Sequence, residues 1–97
     1  MFRRKLTYKY LAKRCTVYWF DDTGALVRYI GITPLDESEF AIRQSRGRFS
    51  LLRRCPSERG EYVGEWSEWL GGIRYRHQFK TILKTLGIKI RKWTSRY

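Results

Sequence analysis

Two short, mostly hydrophobic segments flank a polar stretch between residues 15 and 33, which read CTVYWFDDTGALVRYIGIT. Both segments are rich in β-branched and aromatic residues, and residues 21–24 between them, DDTG, have the composition of a tight turn. This pattern predicts a β-hairpin. Upstream of it, Leu6, Tyr8 and Tyr10 alternate with polar side chains, so residues 5–11 are expected to extend the sheet or to form an ordered arm.

Three later segments have patterns typical of helices. Residues 36–46 begin with the acidic run DESE and stop before Gly47, which predicts a helix with an acidic first turn. Residues 61–70 and 77–86 each place apolar side chains on one face at helical spacing, and each segment is followed by glycine.

The remaining segments complete the predicted fold. Residues 49–60 show no regular pattern, whereas residues 88–93 alternate with period two and are expected to form a last strand. The order of hairpin, helices and strand indicates the α+β class, with a small, mostly antiparallel sheet flanked by two or three helices. Because no linker or repeat divides the chain, we expect one domain over residues 1–97, with residues 1–14 as a basic arm or extra strand.

Composition narrows the class of protein. Hydrophobic residues make up 42% of the chain and aromatic residues 16%, which argues against a disordered basic tail. Since no apolar run has the length of a membrane span or of a signal-peptide core, we expect an intracellular protein that is neither secreted nor bound to a membrane. Cys15 and Cys55 lack partners at metal-binding spacing and are expected to be reduced thiols.

The charge is both large and unevenly distributed. Lys and Arg number 21 against 9 Asp and Glu, a formal net charge of +12. Residues 1–14 and 69–97 contain no acidic residue, and every carboxylate lies between Asp21 and Glu68. If the fold brings the two ends together, they form one cationic face that attracts phosphate. The candidate nucleic-acid-binding residues are Arg3, Arg4, Lys5, Arg46, Arg48, Arg74, Arg76, Lys80, Lys84, Lys89, Arg91 and Lys92.

The hairpin also carries a family resemblance. The tripeptides Val17-Tyr18-Trp19 and Tyr29-Ile30-Gly31 occupy its two predicted strands, and the two tyrosines are eleven positions apart. Residues 15–93 thereby resemble the GIY-YIG nuclease domain, whose namesake motifs lie on the first two strands of a small antiparallel sheet. The second motif matches well, whereas the first matches only in its tyrosine and the aliphatic residue before it.

This resemblance implies metal-assisted hydrolysis of a phosphodiester, with Mg²⁺ or Mn²⁺ as the cofactor if the chain is an active enzyme. It implies that Tyr18 and Tyr29 face a common cleft and that Arg43, on a following helix, binds the scissile phosphate. The family's metal-binding glutamate has no counterpart, because no acidic residue follows Glu68. Either Glu61, Glu65 or Glu68 binds the metal, or the domain has kept its phosphate-binding shape and lost the chemistry.

Two functions follow as expectations. The first is a nucleic-acid-binding protein with a GIY-YIG-like domain, with DNA favoured over RNA, in which the cationic C-terminal end favours binding without cleavage. The second is a small basic, non-enzymatic factor of the kind that phages and mobile elements encode, which binds and inhibits or remodels a protein or ribonucleoprotein complex.

Overall fold

Five antiparallel strands form a meander in the computed structural model, which describes residues 3–55 and 66–90. The elements are α1 Tyr8–Arg14, β1 Tyr18–Phe20, β2 Leu26–Ile32, β3 Glu39–Ser45, β4 Arg48–Arg54, β5 Ser67–Ile73, α2 Arg76–Leu86 and β6 Lys89–Ile90. The strand order is β1-β2-β3-β4-β5, and the short strand β6 pairs with β2 beyond the end of β1. With two helices in the described part, this is a small α+β protein.

The predicted N-terminal hairpin is confirmed as β1 and β2. Its turn is held by the Asp21 carboxylate, which accepts hydrogen bonds from the backbone N–H groups of Thr23 and Ala25, both at 2.9 Å. The Thr23 hydroxyl donates to the same oxygen at 2.7 Å. These bonds form an Asx-type turn, so the local sequence is sufficient to reverse the chain here.

The predicted helix over residues 36–46 is wrong, because this segment contains β3. Phe40 and Ile42 alternate with Ala41 and Arg43, and the alternation buries the first pair against the helices. The acidic run instead forms the turn before β3, where the Asp36 carboxylate accepts a hydrogen bond from the Ser38 N–H at 3.0 Å. Pairing with β2 and β4 therefore overrides an acidic start that also suits a helix.

Gly47 ends a strand rather than a helix. Arg46 and Gly47 form the β3–β4 turn with positive φ angles of 52° and 74°. A turn of two such residues matches the twist of the strands on either side, as in primed hairpin turns. The sequence signal at Gly47 is consequently that of a hairpin.

Three further predictions are corrected. The irregular segment over residues 49–60 contains most of β4, and the helix over residues 61–70 gives way to β5 from Ser67. Residues 56–65 lie outside the described residues. The strand or arm expected over residues 5–11 contains the start of α1, because Thr7 caps a helix by accepting a hydrogen bond from the Tyr10 N–H at 3.2 Å.

The helix predicted over residues 77–86 is confirmed as α2, which ends at Gly87 in the left-handed conformation with φ 67°. β6 lies within the predicted strand over residues 88–93, of which residues 91–93 fall outside the described part. In α2 the apolar spacing repeats over the whole helix, so the helical period dominates.

Both helices pack on one face of the sheet. The main core joins α1 and α2 to the strands through fully buried side chains such as Leu11, Ile30 and Phe79. A smaller cluster on the opposite face contains Val27, Ala41 and Leu52, with Trp19 and Trp66 packed against it. Neither helix in the described part of the chain is long and apolar enough to cross a membrane.

Candidate nucleic-acid interface

The two acid-free ends of the chain meet at the start of α2. Lys5 forms an antiparallel bridge with Tyr75. On either side of this bridge the Leu6 N–H donates to the Arg74 carbonyl at 2.8 Å, and the Arg76 N–H donates to the Arg4 carbonyl at 2.9 Å. Backbone hydrogen bonds therefore join segments that are about 70 residues apart in sequence.

Residues 3–14 and 74–90 together form what we call the helix layer. This layer contains eleven basic side chains and no acidic one, whereas the six carboxylates of residues 3–55 and 66–90 lie on strands or strand turns. Like charges concentrated on one face produce a positive potential that attracts polyanions. The basic side chains are Arg3, Arg4, Lys5, Lys9, Lys13, Arg14, Arg74, Arg76, Lys80, Lys84 and Lys89.

One row of these charges follows α2. Arg76, Lys80 and Lys84 recur every fourth residue and so lie on one side of the helix, about 6 Å apart along its axis. The guanidinium of Arg76 lies 4.6 Å from the ring centre of Tyr10, and that of Arg14 lies 3.7 Å from the same centre. Cation–π contacts to one buried ring hold these two arginines against the layer.

A cleft of about 650 Å³ opens beside the junction of the chain ends. Lys5, Arg74 and Arg48 line it, together with glycines of the β3–β4 turn and of β5 and with one carboxylate, that of Glu68 on β5. Arg48 thereby joins the helix-layer cations, and Arg46 lies in the adjoining turn. Of the candidate binding residues, only Arg91 and Lys92 lie outside the described residues.

The two motif tyrosines lie on opposite faces of the sheet. Tyr18 is paired in register with Arg28 on the helix side and is 54% exposed. Tyr29 is paired with Ala41, is 5% exposed, and has its ring centre 6.5 Å from that of Trp66 on the other side. Because strand side chains alternate between faces, the observed register prevents the two hydroxyls from sharing a cleft.

Arg43 lies on β3 and not on a helix. Its Nε is 3.3 Å from Oδ2 of Asp21, so the guanidinium is engaged in an ion pair across the sheet. The hydrogen bond from the Thr23 hydroxyl is the main cause that holds the pKa of Asp21 below its usual value, and the charge of Arg43 adds to it. Arg43 shares a face with Tyr29 but not with Tyr18.

The described carboxylates form no cluster of metal ligands. Glu39 is buried and accepts a hydrogen bond from Arg54 at 2.8 Å, and Glu68 lines a cleft with the ion-paired Arg43. Within residues 3–55 and 66–90, no group of three or more His, Cys, Asp or Glu side chains could hold a metal ion. Glu61 and Glu65 lie outside this part of the chain.

Lys9, Lys13 and Arg14 belong to the helix layer, although they were not among the candidate residues. They lie on or at the end of α1, where alternating tyrosines suggested a strand. The signal that could have identified them is Thr7, a good helix cap placed before a segment rich in helix-forming residues.

Comparison of the chain with models of protein families, with curated proteins and with solved structures finds no match. The resemblance to the GIY-YIG domain therefore stays a prediction.

Proposed function

We propose that the protein binds nucleic acid through the phosphate backbone and that the helix layer is the contact surface. The observation that carries the proposal is the backbone junction between the two acid-free ends, which assembles eleven basic side chains without a carboxylate. A net charge of +12 spread evenly would support solubility as well as binding. Its concentration on one layer favours a polyanionic partner.

Binding of this kind is driven by the release of counterions from the phosphates. Each phosphate that the protein neutralises contributes about −0.9 to the slope of log K against log salt on duplex DNA. If half of the helix-layer cations contact phosphates, a slope of about −5 is expected. Affinity should then fall steeply between about 50 and 200 mM salt.

A fluorescence-anisotropy titration with labelled DNA and RNA over a salt series tests the proposal. Replacing both Lys80 and Lys84 by glutamine should weaken binding and reduce the slope by about 2. A matched pair of variants separates the effect of local charge from that of net charge. Lys84→Gln and Thr23→Glu each lower the net charge by one, but Thr23 is exposed in the β1–β2 turn, whose Asp21 pairs with Arg43 on the face opposite the helices. Absence of binding at low salt, or equal weakening by the matched variants, would refute the proposal.

Cleavage is not included in the proposed function. Tyr18 lies on the face opposite Tyr29 and Arg43, and Arg43 is paired with Asp21, so the three groups that would activate water and bind the scissile phosphate do not share one face. We expect bound DNA and RNA to remain intact with Mg²⁺ or Mn²⁺. Metal-dependent products that disappear in Tyr29→Phe would instead support an active nuclease.

A protein or ribonucleoprotein partner is a second candidate, and the β5 edge favours it. Within the described part of the sheet, β5 pairs only with β4, and Trp69 and Leu70 on it are 44% and 43% exposed. An unpaired edge can accept an extended segment of another protein. A stoichiometric protein partner that stays bound after nuclease treatment and in high salt would support this function. The Leu70→Lys variant should no longer bind that partner.

A further inference from the structure

Three exposed aromatic side chains lie together where α1 meets β1. Tyr8, Tyr18 and Phe20 are 46%, 54% and 66% exposed. Tyr18 and Phe20 alternate on β1 and so share the helix side of the sheet, with ring centres 6.2 Å apart. We call these three residues the aromatic strip. Such a group is unusual on a chain that has only a small core to fill.

A buried arginine links the rings. Arg28 is 4% exposed, and its guanidinium carbon lies 4.4 Å from the ring centre of Tyr8 and 5.3 Å from that of Tyr18. Its Nη1 donates to the Cys15 carbonyl at 2.8 Å, which fixes the cation beneath the two rings. The rings are thus held in place before any ligand arrives, and a positive charge lies directly behind them.

The aromatic strip is continuous with the helix layer. Tyr8 is the first residue of α1 and so belongs to the helix layer, and the Arg28 guanidinium contacts both its ring and that of Tyr18, so stacking surfaces and cations adjoin. Aromatic faces beside a row of cations are the combination by which proteins bind unpaired nucleotides: bases stack on the rings while the cations bind the phosphates. Bases inside a duplex are already stacked and cannot reach such rings.

We propose that the preferred ligand is single-stranded nucleic acid, whose unpaired bases stack on Tyr18 and Phe20 while the helix layer binds the flanking phosphates. This inference rests on the proposed function and specifies its substrate class. Stacking is tolerant of base identity, since every base presents an aromatic face, so little sequence preference is expected.

The test measures the anisotropy of labelled oligothymidylate and of a duplex of equal length with wild type, Tyr18→Ala and Phe20→Ala. Each alanine variant should weaken binding of the single strand by about 5- to 150-fold and affect the duplex much less. Tyr18→Phe keeps the ring and should restore most of the affinity that Tyr18→Ala loses. Leu35→Ala removes an exposed apolar side chain that is 89% exposed and away from the strip, and should also have no effect.

Circular dichroism checks that each variant is folded, which is expected because both substituted rings are more than half exposed. The stacking proposal is refuted if the alanine substitutions weaken binding of the single strand and of the duplex equally, or if they weaken binding of neither. The proposed function would survive either outcome for the alanine variants if replacing both Lys80 and Lys84 by glutamine still lowers the affinity for nucleic acid. Absence of binding to both ligands in the wild type would refute both proposals.

Discussion

Gly31→Ala should destabilise the fold by displacing β6. Gly31 lies on β2 opposite Ile90, and a Cβ built on it would overlap the backbone carbonyl of Lys89. Because the obstacle is main chain and not the end of a flexible side chain, β6 must move away. That movement breaks the β2–β6 pairing and draws Ile88, which is 7% exposed, out of the core.

The expected cost is that of inserting a methyl group into a filled space, about 1–3 kcal/mol. For a domain of this size, 1 kcal/mol corresponds to about 4–8 °C in Tm, so a fall of about 5–20 °C is expected. Thermal and urea unfolding followed by circular dichroism measure both quantities.

Gly71→Ala is the matched control. Gly71 is also a strand glycine, but a Cβ there would lie 3.7 Å from the nearest atom, on Glu68, which is ordinary contact. The free energy of unfolding should be unchanged, or should rise by about 0.4–1 kcal/mol because alanine restricts the unfolded chain. Equal stability of the Gly31→Ala and Gly71→Ala proteins would show that β6 does not pack closely on β2.

The burial of three other side chains gives three further predictions. Burial raises the pKa of the Cys15 thiol from 9.0 to about 11. The protonated thiol therefore contributes its full stabilisation of the fold below pH 9, and this contribution is lost as the pH rises towards 11. Unfolding of the wild type compared with Cys15→Ala at several pH values measures this loss, and a thiol reagent should modify exposed Cys55 long before Cys15. Phe79→Ala should cost about 3–5 kcal/mol in urea unfolding, since the ring is 0% exposed; a cost below about 1 kcal/mol would contradict its place in the core. Arg54→Ala should cost about 3 kcal/mol, because it leaves the buried Glu39 carboxylate without its ion pair, and Glu39→Gln in the same chain should recover part of that loss.

The candidate site was only partly predictable. The absence of acidic residues from both ends was visible in the sequence, and that observation led to the helix-layer cations. The aromatic strip was not visible in the sequence, because the exposure of a side chain depends on packing. Tyr10 is 6% exposed, whereas Tyr8 on the same helix is 46% exposed. Arg28 also gave no signal, since nothing local shows that a strand arginine will be buried between two rings.

The sequence by itself determined the elements that local interactions stabilise. The Asp21 turn closes its hairpin with hydrogen bonds inside five residues, and α2 repeats one apolar spacing up to a left-handed glycine. Only the tertiary structure decided that residues 36–46 contribute a strand, because β3 gains its hydrogen bonds from strands on both sides and buries Phe40 and Ile42 in the core beneath the helices. It also decided the faces of Tyr18 and Tyr29 through strand register, and it joined the two acid-free ends through backbone bonds across about 70 residues. The local sequence determines the turns and the period of a helix or strand. The register of the strands and the pairing of distant segments depend on which surfaces are buried against each other.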